Sequence, residues 1–398
     1  MQLYLSNCRL IPQLSHQWNE GLADVVIEDH FIKEIRAAGK SEIPPNAIDC
    51  AGHTLMPGLL DIHNHLAMYD MRQSVDLQTD VMQAFLQASV CAKCFLDYGF
   101  TTIRDLGSSF MVSIGVRNAI RQKVIEGPRV ITSGCIIAPH DMRKIQNRDY
   151  NYLADGVYEV QKAARDVVAH GADLVKIYNS SFPVGDAPCF PLYSQEELDM
   201  MVRSAAERET YVSAHAHEQR AIDMCLRAGV HTIEHASCIS DDALEELTRE
   251  KSYIVPTIAP YIPMIASLAD KKSIIKDEAK LYDMLNHIRN AMRKAVKGGL
   301  KLGFGSDIEA DTWEERPGLE FKARSELIGL APIEILLQAT VYNAEIIGMG
   351  DKLGQVRPGF EADLILLEGK PDQDISQMYV QKPILVILGG EIVRSRTI

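Results

Sequence analysis

The strongest constraint on the fold is a regular alternation of short apolar segments with longer segments of helical period. Eight candidate strands, each followed by a candidate helix, occupy residues 54–350. Such alternation predicts parallel strands joined by right-handed crossovers. Eight repeats fit a closed (β/α)₈ TIM barrel, which typically takes roughly 250 residues. The competing doubly wound open sheet usually carries a glycine-rich phosphate turn after its first strand, where this chain reads DIHNHL.

The elements of this α/β pattern can be read directly from the chain. The candidate strands are TLMPGLLDIH, GFTTIRDLG, PRVITSG, DLVKIYNS, TYVSAHAH, HTIEHAS, SYIVPTI and LKLGFGSD. The candidate helices are 76–98, 110–126, 157–170, 195–209, 218–229, 241–250, 276–299 and 331–348.

The two ends of the chain do not follow this alternation. Residues 1–53 contain LYLSNCRLI and NAIDCAG, and residues 351–398 contain ILVILGGEIV, which are typical of short strands. Neither end is large enough to bury a core alone. We therefore expect both termini to meet in one small composite β-sandwich domain, while residues 54–350 form the barrel.

Charge and hydropathy argue against several kinds of partner. The net charge of −13 disfavours nucleic acid and anionic membrane surfaces, because both need a basic face. No run of roughly 18 apolar residues could span a bilayer, and the first residues lack the pattern of a secretory signal. Cys91 and Cys94 form a CxxC pair, but their apolar helical surroundings indicate two buried thiols. We expect a cytoplasmic protein that acts on a small molecule.

Ionisable residues recur at the carboxyl ends of the predicted strands, the face on which barrel active sites are built. His63 and His65 lie two residues apart and therefore project to the same side of strand one. The set continues with Lys176 on strand four, His215 and His217 on strand five, His235 on strand six and Asp307 on strand eight. Each residue alone has an ordinary explanation, for example Asp307 as a helix N-cap. Together, at corresponding strand ends, they predict a functional site.

The order of strands in a barrel indicates how this set would assemble. Closure places strand one beside strand eight, so two histidines and Asp307 would converge, while His215 and His235 would converge on adjacent strands five and six. Imidazole and carboxylate groups suit divalent metals, with zinc favoured by imidazole. Lys176 lies between the two groups. Its neutral amine could react with CO₂ to form a carbamate, an anionic two-oxygen ligand able to bridge two metals.

The chain resembles the amidohydrolase superfamily over essentially its whole length. The matching segments are PGLLDIHNH, VKI, SAHAH, TIEHAS, GFGSD and the tail ATVYNAEIIGMGDKLGQVRPGFEADLILLEGKP. GFTTIRDLG is most similar to the branch of Xaa-Pro dipeptidases, arginine-type carboxypeptidases and imidazolonepropionase-like enzymes. The resemblance implies two zinc ions and a carboxylated Lys176. It assigns His63, His65 and Asp307 to the more buried ion, His215 and His235 to the more exposed ion, and His217 to a supporting or substrate-binding position.

The resemblance also implies a reaction. A hydroxide shared by the two metals would attack the amide of a small substrate, a dipeptide or N-acyl amino acid, with Asp307 as general base and then as proton donor to the leaving amine. The loops SGCIIAPHDMR, KIYNSSFPVGD and ADTWEERPGLEF depart from the peptidase pattern. Candidate contacts for a substrate carboxylate in these loops are His140 and Tyr178, which follow strands three and four closely, with Arg143, Lys144 and Arg316.

Two other functions stay open at this point. A deaminase or a cyclic-amide or urea hydrolase could use the same barrel, although mononuclear deaminases usually lack the strand-four lysine. A catalytically silent scaffold is the third possibility, against which the presence of all six expected ligands argues. Barrels of this kind often assemble into homo-oligomers, but the sequence fixes neither the oligomeric state nor the substrate, the metal or the number of metals bound.

Overall fold

The computed structural model of the protein describes residues 2–40, 44–68, 81–140, 151–181, 189–250, 252–268, 277–308 and 317–396. Its strands are β1 (Gln2–Leu10), β2 (Ala23–Glu28), β3 (Phe31–Ala37), β4 (Ile48–Asp49), β5 (Thr54–Pro57), β6 (Leu59–Asn64), β7 (Phe100–Asp105), β8 (Arg129–Thr132), β9 (Ile136–Ala138), β10 (Asn151–Leu153), β11 (Val175–Tyr178), β12 (Val212–Ala216), β13 (Thr232–His235), β14 (Tyr253–Val255), β15 (Leu364–Leu367), β16 (Leu385–Leu388) and β17 (Glu391–Ser395). Its α-helices are α1 (Val81–Asp97), α2 (Val112–Arg121), α3 (Val157–Ala169), α4 (Gln195–Ala206), α5 (Gln219–Ala228), α6 (Asp241–Glu250), α7 (Tyr261–Ser267), α8 (Glu278–Lys297), α9 (Leu319–Ala323), α10 (Pro332–Leu337), α11 (Asn343–Ile346) and α12 (Gln377–Val380). None of the helices in these ranges is long and apolar enough to cross a membrane.

The central part of the chain alternates strands with helices, and its strands pair in parallel. Six strands form one sheet in the order β10-β9-β11-β12-β13-β14, and three form another in the order β6-β7-β8. Every residue of β12 and β13 is buried, as expected for parallel strands covered by crossover helices. The predicted α/β class is confirmed. Each predicted helix has a helical counterpart, but 331–348 is divided into α10 and α11 by a π-helical turn, Gln338–Tyr342. Residues 76–80 and 276 of the predicted helices lie outside the described residues.

Local sequence sets the starts of the helices that precede and follow β12, the strand that carries His215. Ser194 and Glu197 form a capping box at the start of α4, which satisfies amides that the helix itself leaves unbonded. The Glu218 side chain accepts from the backbone N–H groups of Arg220 and Ala221 and so starts α5 immediately after β12. The Glu218 cap therefore fixes the connection that leaves β12, and the capping box fixes the start of the helix that precedes this strand.

The third predicted strand is followed in the structure by a short strand that was not predicted. PRVITSG contains β8, which pairs with β7, and the segment after it forms β9, which pairs with β11. Gly134 lies between the two strands with φ of 72°, a conformation that glycine adopts without a steric penalty. Neither β9 nor β10 was among the predicted strands.

The eighth predicted strand, LKLGFGSD, forms no regular ladder among the described residues. Its backbone nevertheless forms hydrogen bonds with the segments on both sides. Ile62 N donates to Phe304 O at 3.0 Å, and Gly303 N donates to Ile254 O at 2.8 Å. The segment 301–308 therefore lies between β14 and β6 and links the two parallel sheets.

Strands from both ends of the chain form a separate eight-stranded sheet in the order β17-β16-β15-β5-β1-β2-β3, with β4 beside β1. Strand β5 pairs antiparallel with β15, so residues 54–57 belong to this sheet. The chain passes from this sheet to β6 at Gly58. A Cβ at this position would lie 2.2 Å from Oγ1 of Thr101, which explains the glycine.

Candidate metal centre

The backbone brings His63, His65 and Asp307 together at the carboxyl end of β6. Asp307 N donates to His63 O at 2.7 Å. Oδ1 of Asp307 lies 3.3 Å from Nε2 of His63 and 3.4 Å from Nε2 of His65. Gly305 permits this close approach, since a Cβ there would lie 2.5 Å from the His63 Cβ. Three side chains able to bind a metal therefore face one point.

A second group consists of His215, His217 and His235. Strands β12 and β13 are in register so that Ala216 lies opposite His235. The three imidazole ring centroids lie 4.5 to 4.6 Å from one another, and one nitrogen of each ring lies within 4.8 Å of the others. The sequence predicts that His215 and His235 bind one ion and that His217 lies in a supporting or substrate-binding position. The structure places all three rings together.

The two groups are continuous with each other. The ring centroids of His63 and His235 lie 4.9 Å apart, and Oδ2 of Asp307 lies 3.9 Å from Nδ1 of His235. Lys176 is buried on β11, the strand next to β12. The six residues predicted as ligands therefore lie on adjoining backbone segments.

Two buried nitrogen atoms of this cluster lack a hydrogen-bond partner among the residues that the structure describes. They are Nζ of Lys176 and Nε2 of His215. Buried polar atoms are normally paired, because leaving one unpaired costs free energy. Imidazoles, a carboxylate and an amine open to carboxylation form a donor set that fits divalent cations such as zinc. The residues present therefore fit a metal centre.

Four of the five imidazoles are oriented through their Nδ1 atoms. These contacts are His63 Nδ1 with Glu234 Oε2 at 2.6 Å, His65 Nδ1 with Gly107 O at 2.8 Å, His217 Nδ1 with Ser237 Oγ at 2.8 Å and His235 Nδ1 with Thr257 Oγ1 at 2.6 Å. A partner on one ring nitrogen selects the tautomer and leaves the other nitrogen for a metal. In His63, His65 and His235 the nitrogen that faces away from this partner is Nε2.

The surroundings of Lys176, Asp307 and His235 favour the protonation states that bind metals. Burial would lower the pKa of His65, but the carboxylate of Asp307 raises that pKa above its usual value. Burial lowers the pKa of Lys176 to about 8, although Glu234 and Asp307 act in the opposite direction. Burial would raise the pKa of Asp307, but the nearby imidazoles, His63 above all, hold that pKa well below its usual value. Burial, and then the imidazole of His217, lower the pKa of His235. A carboxylate and neutral imidazoles are the forms that coordinate metals.

Two residues that support the cluster, Glu234 and Arg104, were not predicted from the sequence. Glu234, which contacts His63, also accepts from Nη2 of Arg104 at 3.0 Å and from Oγ of Ser213 at 2.7 Å. Burial would raise the pKa of Glu234, but Arg104 and His63 hold that pKa well below its usual range. A signal was available in TIRD and TIEH, where a charged residue lies inside an apolar strand.

The predicted substrate contacts differ in their positions. The ring centroid of Tyr178 lies 4.3 Å from that of His215, so Tyr178 lies beside the cluster. His140 belongs to neither histidine group; it is exposed, and its Nδ1 lies 2.5 Å from Oδ2 of Asp155. Arg143, Lys144 and Arg316 lie outside the described residues.

Comparison with known proteins gave consistent matches over most of the chain. A family model described as "Amidohydrolase family" matches residues 54–393. Ochratoxinase of Aspergillus niger is 28% identical over 410 residues, which cover 92% of this chain and 82% of that protein. Imidazolonepropionase of Porphyromonas gingivalis is 21% identical, covering 88% of this chain and 84% of that protein. A crystal structure of a Xaa-Pro dipeptidase with methionine bound in its active site has a TM-score of 0.87 at 26% identity and covers 99% of this chain and 100% of that chain.

Proposed function

Since the chain belongs to the amidohydrolase family, we propose that it cleaves the amide bond of a dipeptide or an N-acyl amino acid with the help of divalent metals. The observation that carries the proposal is the cluster of His63, His65, His215, His235 and Asp307 around a buried lysine. Similarity to proteins named ochratoxinase and Xaa-Pro dipeptidase supports a small amide substrate.

The proposal includes a closed (β/α)₈ barrel and a composite β-sandwich domain built from both termini. The backbone bonds of segment 301–308 to β14 and β6 support closure on one side. On another side, Asp173 N donates to Thr132 O at 2.7 Å, which connects the end of β8 to the segment before β11. Pairing of β5 with β15 supports a composite terminal domain.

The residues present can be divided between two cations. One cation would be held by His63, His65 and Asp307, and the second by His215 and His235. A carboxylated Lys176 would contribute to the binding of both. Zinc is the expected ion because imidazole predominates in the donor set. When bound, two such ions supply an activated water molecule and polarise the scissile carbonyl.

The chain's own residues orient the reaction and move the proton. Asp307 accepts a proton from the attacking water on its carboxylate and returns it to the leaving nitrogen, as a general base and then a general acid. Glu234 holds the imidazole of His63 through Nδ1. His217, stacked on His235, and Tyr178, packed against His215, are the residues proposed to contact the substrate. His140, paired with Asp155 at the surface, is not included.

The test begins with protein freed of metal and reconstituted with zinc in the presence of bicarbonate. It is incubated with a library of dipeptides, N-acyl amino acids and cyclic amides, and the products are identified by mass spectrometry. We expect metal-dependent release of free amino acids from one subset of linear amides, and no release by metal-free protein. Release of ammonia, or ring opening alone, would favour the deaminase or cyclic-amide alternative. Inactivity of protein shown to bind two metals would overturn the peptidase-like function.

A further inference from the structure

Thr257 is a buried residue in an unfavourable backbone conformation beside the histidine cluster. Its φ is 49°, which is rare for a β-branched residue because the branched Cβ crowds the backbone. Its Oγ1 lies 2.6 Å from Nδ1 of His235. Residues held in such conformations persist only where the surrounding structure enforces them, and they concentrate at functional sites. The contact with His235 is therefore a candidate reason for the strain.

Glu320 holds the peptide groups that follow Thr257. Its Oε2 accepts from the backbone N–H of Ile258 at 2.8 Å and of Ala259 at 2.5 Å. Its Oε1 accepts from Nε of Arg324 at 2.6 Å. Glu320 and Arg324 are both completely buried, and burying an ion pair carries a large desolvation cost. This pair, called the clamp below, leaves the turn after Thr257 little freedom to relax.

Ring packing alone cannot orient His235. Its ring is stacked on His217, with centroids 4.6 Å apart and an interplanar angle of 11°, and lies edge-on to His215 at 4.5 Å. These contacts define the plane of the ring. A half-turn about the Cβ–Cγ bond would preserve that plane while placing carbon atoms where the nitrogen atoms had been. A polar partner is needed to distinguish nitrogen from carbon, and the Thr257 hydroxyl is such a partner.

We propose that Thr257 is a positioning residue for His235, held by the clamp so that its hydroxyl oxygen accepts a hydrogen bond from Nδ1–H and Nε2 is directed at a metal. The inference rests on the proposed function, in which His235 is a metal ligand. In this arrangement Thr257 touches neither substrate nor metal and acts only by orienting the imidazole of His235.

The first test compares Thr257→Ala, which removes the hydroxyl and relieves the β-branch, with Thr257→Ser, which keeps the hydroxyl. Metal-free protein is titrated with zinc against a chromogenic chelator, and the visible spectrum of cobalt(II)-loaded protein is recorded. One zinc equivalent should bind about 10- to 100-fold more weakly to the Ala variant, the usual scale for loss of a ligand's supporting hydrogen bond. Its cobalt spectrum should change, and the Ser variant should match wild type. An Ala variant with wild-type affinity and spectrum would overturn the inference.

The second test addresses the clamp. Glu320→Gln should weaken the binding of the same zinc equivalent, since a neutral amide is a poorer acceptor for two backbone N–H groups. Combined with Thr257→Ala, it should cause no further loss, because residues that act through one another are not additive. Additive losses would show that the clamp does not act through Thr257.

The third test needs no substitution in the measured protein. The ¹⁵N chemical shifts of the His235 ring in metal-free wild type, assigned by comparison with His235→Gln, should show a proton on Nδ1 and none on Nε2. The opposite tautomer would overturn the inference even if zinc binds. A wild-type protein that binds no divalent metal would instead overturn the proposed function, and the tautomer would still decide whether Thr257 orients the ring.

Discussion

Oε2 of Glu234 lies 2.6 Å from Nδ1 of His63, and both side chains are buried with exposed fractions of at most 1%. The other carboxylate oxygen lies 3.0 Å from Nη2 of Arg104, which is also buried. A histidine of the cluster is thus held by a carboxylate that is itself neutralised by a buried cation. Because the partner of one ring nitrogen directs the other nitrogen, this ion pair connects the stability of the interior to the geometry of the site.

Replacing Glu234 with Gln should weaken both stability and metal binding. Gln preserves the size of the side chain but leaves the Arg104 charge without a counter-charge, and removing one partner of a buried ion pair typically costs about 3–5 kcal/mol. We expect the free energy of unfolding to fall by a comparable amount and the zinc affinity to fall about 10- to 100-fold. Denaturant unfolding and zinc titration measure the two effects. Glu245→Gln, on an exposed residue of α6, should change neither, and normal zinc affinity in Glu234→Gln would limit Glu234 to a stabilising role.

Replacing Asp307 with Asn should separate proton transfer from metal binding. The amide has the size of the carboxylate and can still act as a ligand through oxygen, but it cannot accept a proton. We expect metal content to persist while turnover falls by about 10² or more, the usual scale for loss of a general base. Elemental analysis and steady-state kinetics on a substrate found in the library would measure both. Asp242→Asn, an exposed control, should keep full activity, and turnover near wild type in Asp307→Asn would exclude the proton-transfer role.

The positions of the cluster residues were more predictable than the groups that orient them. Period-two patterning was enough to predict that His63 and His65 project to one side of a strand, and the structure brings both to Asp307. Thr257 could not be found in the same way. Its contact with His235 depends on a left-handed backbone that sequence rules do not expect at a β-branched residue, and on Glu320, which is distant in sequence.

The ends of one strand and the irregular backbone of another could not be predicted from the sequence. TLMPGLLDIH was interpreted as one strand, but the chain divides it at Gly58 between two sheets, because a close approach to Thr101 excludes a side chain there. LKLGFGSD was interpreted as a regular strand, yet its glycines pack directly on neighbouring residues, and the left-handed φ of 53° at Asp307 departs from strand geometry. Tertiary contact decided both cases.

Replacing Lys176 with Ala should abolish stable metal binding if a carbamate on this amine is a ligand. Wild type freed of metal and CO₂ should take up its full complement of zinc only when bicarbonate is supplied, because a lysine ammonium provides no ligand oxygen. The metal content of the Ala variant should not depend on bicarbonate. Metal content per chain after gel filtration measures the difference, and Lys280→Ala, on an exposed residue of α8, should behave as wild type. Uptake by wild type that is independent of bicarbonate would contradict the carbamate.

His231 should make the folded state less stable in mild acid. Burial lowers the pKa of its imidazole below the ordinary 6.5, although a hydrogen bond from Nε2 to Ile346 O at 2.7 Å acts in the opposite direction. The folded protein therefore binds this proton less tightly than the unfolded chain does. The stability gained from neutral His231 is fully present above the unfolded pKa and is lost as the pH falls through the folded pKa.

His231→Gln tests this assignment, since a glutamine amide can donate to Ile346 O but does not titrate. Thermal unfolding is measured for wild type and variant at about pH 7.5 and about pH 5.5, on either side of the ordinary histidine pKa. Wild type should lose more of its Tm on acidification than His231→Gln, because only wild type must take up this proton on unfolding. His170→Gln, at an exposed position, should retain the wild-type dependence. An equal loss in wild type and His231→Gln would assign the acid sensitivity to other groups.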